Sequence, residues 1–126
     1  MLITKKFSIM QFSEPNRNMD NQEAIQEADK LLHIDYHNVK KAALILRSIN
    51  HKLRQEILKC INEERRLTVT KIYVKLRLEQ SVASQHLALL RKAGIVFTQR
   101  EGKFIYYTIN DKRVNDIERF AEDIAG

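Results

Sequence analysis

Between Leu76 and Tyr107 a helix-forming run, a glycine stop and a basic hairpin pattern succeed one another without a break. That succession constrains the fold more than any other stretch. Ser81, Ser84, Gln85, Ala88 and Lys92 recur at i, i+3, i+4, i+7 and i+11, one stripe at helical period. The opposite side carries Ala83, Leu87, Leu90 and Ala93, enough to seat a helix on a core. Ser, Gln and Ala make a short, uncharged outer face where a solvated helix usually shows Glu and Lys. Short hydrogen-bonding side chains suit a helix that enters a DNA major groove about 12 Å wide and touches base edges. On the stripe alone, an ordinary amphipathic helix with a Ser/Gln-rich outer side is an equal reading.

The residues after the stripe shift the balance. Gly94 stands just past the last periodic residue, where a helix end favours a left-handed residue, and Arg91 and Lys92 lie beside the carbonyl end. Ile95-Val96-Phe97-Thr98 reads as a strand, Glu101-Gly102 as a tight turn, and Lys103 to Ile109 as a return strand rich in β-formers. A two-stranded ribbon is unstable alone and must rest on something; its tip, with Arg100 and Lys103, is cationic. Helix plus basic hairpin is the layout of a winged helix, which makes DNA binding the leading reading. The alternative is a winged helix that docks a protein partner without binding DNA.

The run from His51 to Asp111 resembles the ArsR/SmtB family of bacterial winged-helix repressors. The matching residues are His51, Arg54-Gln55-Glu56-Ile57-Leu58, Leu67-Thr-Val-Thr-Lys-Ile, Gln80-Ser81, Ser84, His86-Leu87, Leu90-Arg91-x-Ala93-Gly94, Arg100-Glu101-Gly102-Lys103 and Tyr106-Tyr107. They cover about half the chain, in order and at the right spacing. The resemblance implies a five-helix core with a wing, a homodimer, and operator binding relieved by an effector. The fold class expected is therefore mainly α (α+β): a dimeric winged helix-turn-helix of about five to six helices with a two-stranded wing. Gln80, Ser81, Ser84 and Gln85 fall in the first turns of the recognition helix. Gln pairs bidentately with adenine, so Gln80 and Gln85 are the candidates for base readout. Lys92 is a further DNA-binding candidate, and Arg100 and Lys103 at the wing tip are the candidates for contact with the flanking backbone or minor groove. Two positions depart from the family. Glu79 stands where a capping serine is usual, favourable to the helix N-terminus but repelled by phosphate. Tyr73 stands where alanine is usual, near the crossing of the two motif helices, and its volume is expected to tilt the recognition helix.

Charge supports the same half of the chain. The net charge is +6, yet residues 65–113 hold eleven Lys/Arg against three acids, a balance of +8. Cationic charge gathered where the fold meets phosphate is the electrostatic footprint of nucleic-acid binding, although a basic solvated surface has the same composition. A chain of 126 residues fits one domain. One cysteine and no secretory apolar run point to a reducing, cytoplasmic setting, and no apolar run approaches the roughly 18 residues of a membrane span. No Gly-rich phosphate loop, Cys-x-x-Cys pair or Ser/His/Asp grouping points to catalysis. Ser84 and His86 are near neighbours on one helix but point apart.

Residues 1–19 show no period and are expected to be a poorly ordered tail, with Met10 or Met19 as alternative starts; residues 20–126 form the expected domain. Asp20-Asn21-Gln22-Glu23 resembles a capping box opening a helix to about Leu32. Asp35-x-x-Asn38 restarts a helix to about Asn50, whose centre, Ala42 to Leu46, is apolar nearly all round. The next helix, about 51–62, turns Leu53, Ile57, Leu58 and Ile61 inward. Thr70 is expected to cap a short helix carrying Ile72, Tyr73 and Leu76, with Arg77-Leu78-Glu79 as the turn. Asn110 or Asp111 opens a terminal helix with Val114, Ile117, Ala121 and Ile124 in a seam and Phe120 alongside. That seam, with Leu44 and Ile45 of the 36–50 helix, is the expected dimer interface; packing inside the monomer is the other reading.

Many relatives sense metals, and both common family sites lack their ligands here. Leu67-Thr68-Val69-Thr70 contains no thiol, and Asp111 is followed by Arg113 rather than histidine. A guanidinium offers no lone pair, while Zn²⁺ requires about four N/S/O ligands. No metal and no cofactor are expected. His33 and His37 chelate only if one unbroken helix holds both, and Asp35 between them looks like a cap. Cys60 is single: a buried structural thiol is the simpler reading, and a redox switch needs a second thiol. His86 is expected to pack or hydrogen-bond within the motif.

Overall fold

In a computed structural model, residues 21–126 are described, with 27–31 described by their backbone alone. The expected tail over 1–19 and the capping role of Asp20 lie outside the described residues. The chain divides into two units, residues 1–36 and 37–126. The first holds helix α1 (Asn21–Leu31), and residues 32–35 after it are not helical. From there run α2 (Tyr36–Ile49), α3 (Lys52–Glu64), β1 (Arg66–Thr68), α4 (Val69–Leu76), α5 (Gln80–Lys92), β2 (Val96–Glu101), β3 (Phe104–Ile109) and α6 (Asp111–Ala125). This is the winged helix-turn-helix that the sequence led us to expect.

Local chemistry explains where the elements begin. His51 caps α3, its Nδ1 accepting from the Leu53 N–H at 3.2 Å. Thr68 caps α4, its hydroxyl accepting from the Lys71 N–H at 3.3 Å. The cap is thus two residues before Thr70, the residue expected from sequence. Thr68 is the last residue of β1, and its extended backbone serves strand and cap together. Asn110, rather than Asp111, caps α6. It accepts from the Arg113 N–H at 3.2 Å and donates its Nδ2 to the Gly94 carbonyl at 2.8 Å, tying the start of α6 to the end of α5.

The two motif helices end alike. After α4, the Arg77 N–H donates to Val74 and the Leu78 N–H to Tyr73; after α5, Gly94 donates to Arg91 and Ile95 to Leu90. Both ends need a left-handed residue. Gly94 supplies it freely at φ 74°, whereas Arg77 adopts φ 55° against a steric cost of about 1–2 kcal/mol. A Cβ on Gly94 would also meet the Arg113 guanidinium at 3.4 Å.

β2 and β3 form the expected two-stranded wing, and β1 adds a third antiparallel strand to it, in the order β1-β3-β2. β1 is three residues long, too short to show a period of two. It joins the sheet because Leu67, opposite Tyr107, is buried in the core. The hairpin loop is Gly102-Lys103, since Glu101 still pairs with Phe104; the expected turn is one residue early. Only Gly102 has positive φ there, the pattern of a II′-type turn.

Ile57, Ile61, Ile72, Leu87, Leu90 and Ile95 are fully buried and join α3, α4, α5 and the sheet in one core, with Leu53 and Leu58 half-buried at its margin. Val114 and Ile117 also pack against this core. Of the two readings of the α6 seam, packing inside the monomer applies to its first two members. The Asn110 tie holds the start of α6 beside the core and leaves the later turns outside it.

Candidate nucleic-acid interface

Helix α5 has a buried apolar side and an exposed, mostly polar one, on which Leu89 is also open. Ala83, Leu87 and Leu90 are each fully buried, while Gln80, Ser81, Ser84, Gln85, Ala88 and Lys92 are all exposed. The apolar side fixes the rotation of the helix, so the short polar side is presented to solvent without conformational choice. Its N-cap, Glu79, has extended backbone, and its carbonyl accepts from the Ala83 N–H at 3.1 Å. The Glu79 side chain makes no capping hydrogen bond. Tyr73 is half-buried, and its carbonyl takes the closing bond of the α4 turn.

The wing brings Arg100 and Lys103 together at the hairpin. Arg100 donates its Nε to the Gly102 carbonyl at 3.2 Å, and the Lys103 ammonium lies 5.5 Å from the centre of the Phe104 ring. Among the described residues neither forms a salt bridge. Arg66 behaves differently. Its Nη1 donates to the Glu101 carboxylate at 2.7 Å, and its guanidinium lies 4.1 Å from the centre of the Tyr106 ring. That hydrogen bond holds the Glu101 carboxyl below the usual carboxylate range. Arg66 is thus a neutralised cation, clamping β1 to β2 across β3. Sequence reasoning counted its charge but missed this role, because the partner lies 35 positions away.

On its flank toward α3, α5 carries His86. Arg54 donates its Nε to His86 Nδ1 at 3.2 Å, and the His51 and His86 rings lie 4.9 Å apart. Burial, then His51 and Arg54, push the His86 imidazole below its ordinary pKa. His86 does hydrogen-bond, as expected, but with a residue of α3 that no local spacing could reveal.

The metal candidates are dispersed. Arg113 rests its guanidinium on Gly94, and Asp111 is exposed. His33 lies in the non-helical segment and His37 in α2, so the unbroken helix needed for chelation does not form. Among the described residues no three His, Cys, Asp or Glu side chains converge on one point. Cys60 is buried in the core, which raises its thiol pKa. Among the expected dimer residues, Leu44 is 51% exposed, Phe120 42% and Ile124 72%; Ala121 is exposed, and Ile45, Val114 and Ile117 are half-buried. No helix among the described residues is long and apolar enough to cross a membrane.

Residues 51–98 match the family model for bacterial regulatory proteins of the arsR family. The chain is 36% identical over 85 residues to the HTH-type transcriptional regulator MJ1325 of Methanocaldococcus jannaschii, covering 68% of this chain and 96% of that protein. It is 33% identical over 91 residues to the transcriptional repressor PagR of Bacillus anthracis, covering 72% and 91%. The crystal structure of PagR superposes with a TM-score of 0.57 at 32% identity, over 68% of this chain and 99% of that one. HlyU from Vibrio cholerae superposes with a TM-score of 0.54 at 32% identity, over 71% and 97%.

Proposed function

The chain belongs to the arsR family and is a DNA-binding transcriptional regulator, and from that premise we propose that it acts as a homodimeric repressor on an imperfect palindrome. The observation that carries the reading is the exposed polar face of α5 together with wing cations that have no acidic partner among the described residues. Gln80, Ser81, Ser84 and Gln85 meet base edges and adjacent phosphates; Lys92, Arg100 and Lys103 meet the backbone. Two copies joined through Leu44, Ile45 and the α6 residues Val114, Ile117, Phe120, Ala121 and Ile124 place their recognition helices on successive major-groove faces, about 34–36 Å apart. Exposed Leu44, Phe120 and Ile124 support that pairing, since apolar side chains gain by leaving water. Similarity to PagR, named a repressor, supports repression by occupancy. Release falls to an effector of unidentified chemistry. The protein performs no catalysis and works in the cytoplasm.

The test begins with in vitro selection of duplexes from a random-sequence pool. The winning duplex should be bound roughly 10³-fold or more tightly than the pool, with affinity falling steeply as salt rises. Equal affinity for all sequences would remove base readout. Salt-insensitive binding, or none, would favour the protein-docking alternative.

A further inference from the structure

A side-chain bridge joins the recognition helix to the end of α2, and it has a built-in proton dependence. The last carbonyls of a helix lack partners within it and carry partial negative charge. At the end of α2, side chains from α3 supply those partners. Arg54 donates its Nη1 to the Ser48 carbonyl at 2.8 Å and to Arg47 at 3.4 Å, and Gln55 donates its Nε2 to Ile49 at 3.0 Å. The same Arg54 guanidinium donates its Nε to His86 Nδ1 on α5. One planar fork therefore grips two helices that the backbone does not connect directly.

We propose that Arg54 and His86 are positioning residues for DNA recognition, locking the orientation of α5 to the carbonyl end of α2. This rests on α5 being the recognition helix. If α2 contributes to the dimer interface as well, the bridge ties readout to assembly.

Hydrogen-bond chemistry sets the condition for the bridge. A guanidinium only donates, so His86 Nδ1 must present its lone pair and the ring proton must sit on Nε2. Protonation turns Nδ1 into a donor facing a donor, and places two cations together. Among the described residues, the groups facing His86 are Arg54 of α3 and His51, the cap of α3; neither is acidic. His51 also uses its Nδ1 as an acceptor, from the Leu53 N–H. Nothing in this cluster compensates a proton on His86, and its pKa is accordingly depressed. With the folded pKa below the unfolded value of about 6.5, the contribution to stability is complete above that value. It is lost as pH falls through the folded pKa. The bridge is closed at neutral pH and opens on acidification.

Binding of the selected duplex and of the random pool should be measured at pH 7.5 and 5.5 for wild type, His86→Asn, Arg54→Met and Gln85→Ala. Asn places an acceptor oxygen where Nδ1 lies and does not titrate. Wild type should lose part of its preference for the selected duplex over the pool at pH 5.5, by less than about tenfold because the depressed pKa leaves some His86 unprotonated there. His86→Asn should keep near-wild-type preference at pH 7.5 and show little change with pH. Arg54→Met should lose about tenfold in preference at both pH values while affinity for the pool holds. A His86→Asn protein whose preference still falls with pH as in wild type overturns the proposal, and so does full preference in Arg54→Met. Should Arg54→Met fail to fold, the pH profile of His86→Asn decides alone. Failure of the recognition-helix reading looks different: Gln85→Ala would then leave the preference untouched whatever His86→Asn does.

Discussion

Helices α5 and α6 are both amphipathic, 13 and 15 residues long, yet they stand in opposite relations to their own chain. α5 buries Ala83, Leu87 and Leu90 completely, and its exposed side is mostly polar, with Leu89 the one large apolar side chain left open. α6 buries no residue fully; Val114 and Ile117 lean on the core, and Phe120 and Ile124 are left in water. A helix whose apolar side is satisfied can devote its other face to a ligand. One whose apolar side is unsatisfied is an invitation to another protein surface. On the proposed function, the difference separates a face for DNA from a face for a second copy.

The largest test of this contrast replaces Phe120 and Ile124 with Asp together. Burying a large apolar side chain gains about 1.5–3 kcal/mol, and a two-fold interface counts each substitution twice. We expect the dimer dissociation constant to rise by more than about 1,000-fold with little loss of fold, because neither residue is in the core. Affinity for the selected duplex should fall with it. Sedimentation equilibrium reads the assembly; an unchanged dimer, or a wild-type monomer at micromolar concentration, breaks the contrast.

The converse substitution is on the buried side of α5. Leu87→Ala removes a fully buried side chain, and such truncations cost about 2–5 kcal/mol. Denaturant unfolding should show that loss, whereas Ile124→Ala should change the stability of the monomeric fold hardly at all. Similar losses at both positions would mean that α6 is more fully covered by its own chain than the contrast allows.

A smaller effect distinguishes the exposed side of α5 from the wing. Gln85→Ala should cost about 1–3 kcal/mol on the selected duplex and little on random sequence. Lys103→Ala should weaken both, and reduce the salt slope by about 0.9 for each phosphate contact removed. Equal losses on both duplexes for Gln85→Ala would remove it from base readout; an unchanged slope would remove Lys103 from the backbone.

Legibility in the sequence depends on physical range. The stripe on α5, the Gly94 stop and the α6 opening are set by residues within a turn or two of each other, and each is where periodicity and capping place it. The misses depend on distant partners. β1 exists because Leu67 finds the core beside Tyr107, and Thr68 became the cap because that strand ends on it. The inner half of the α6 seam is covered because Asn110 reaches Gly94. The Arg54–His86 and Arg66–Glu101 pairs span 32 and 35 positions. No single-sequence pattern carries that information. Arg65 and Arg77 are the exceptions among local features: each stands at positive φ at a helix end, and the sequence offered no glycine to mark it.

The smallest expected effect comes from the wing, which is fastened partly from outside whereas α5 is fastened from within. Arg66 and Glu101 join β1 to β2 across β3, and both are exposed, so solvent screens the pair and its worth is small. Its sign is nonetheless fixed. The folded-state pKa of Glu101 is depressed by the Arg66 hydrogen bond. The stabilisation is therefore present above the unfolded carboxyl value of about 4.3 and is lost as pH falls through the lower folded pKa. In Arg66→Met, an NMR titration should find the Glu101 carboxyl returned upward toward its ordinary range. Glu101→Gln should leave stability at pH 7 nearly unchanged and slightly flatten its decline in acid. A Glu101 titration that ignored Arg66→Met would show that the clamp contributes nothing, leaving the buried Leu67 alone to hold β1 in the sheet.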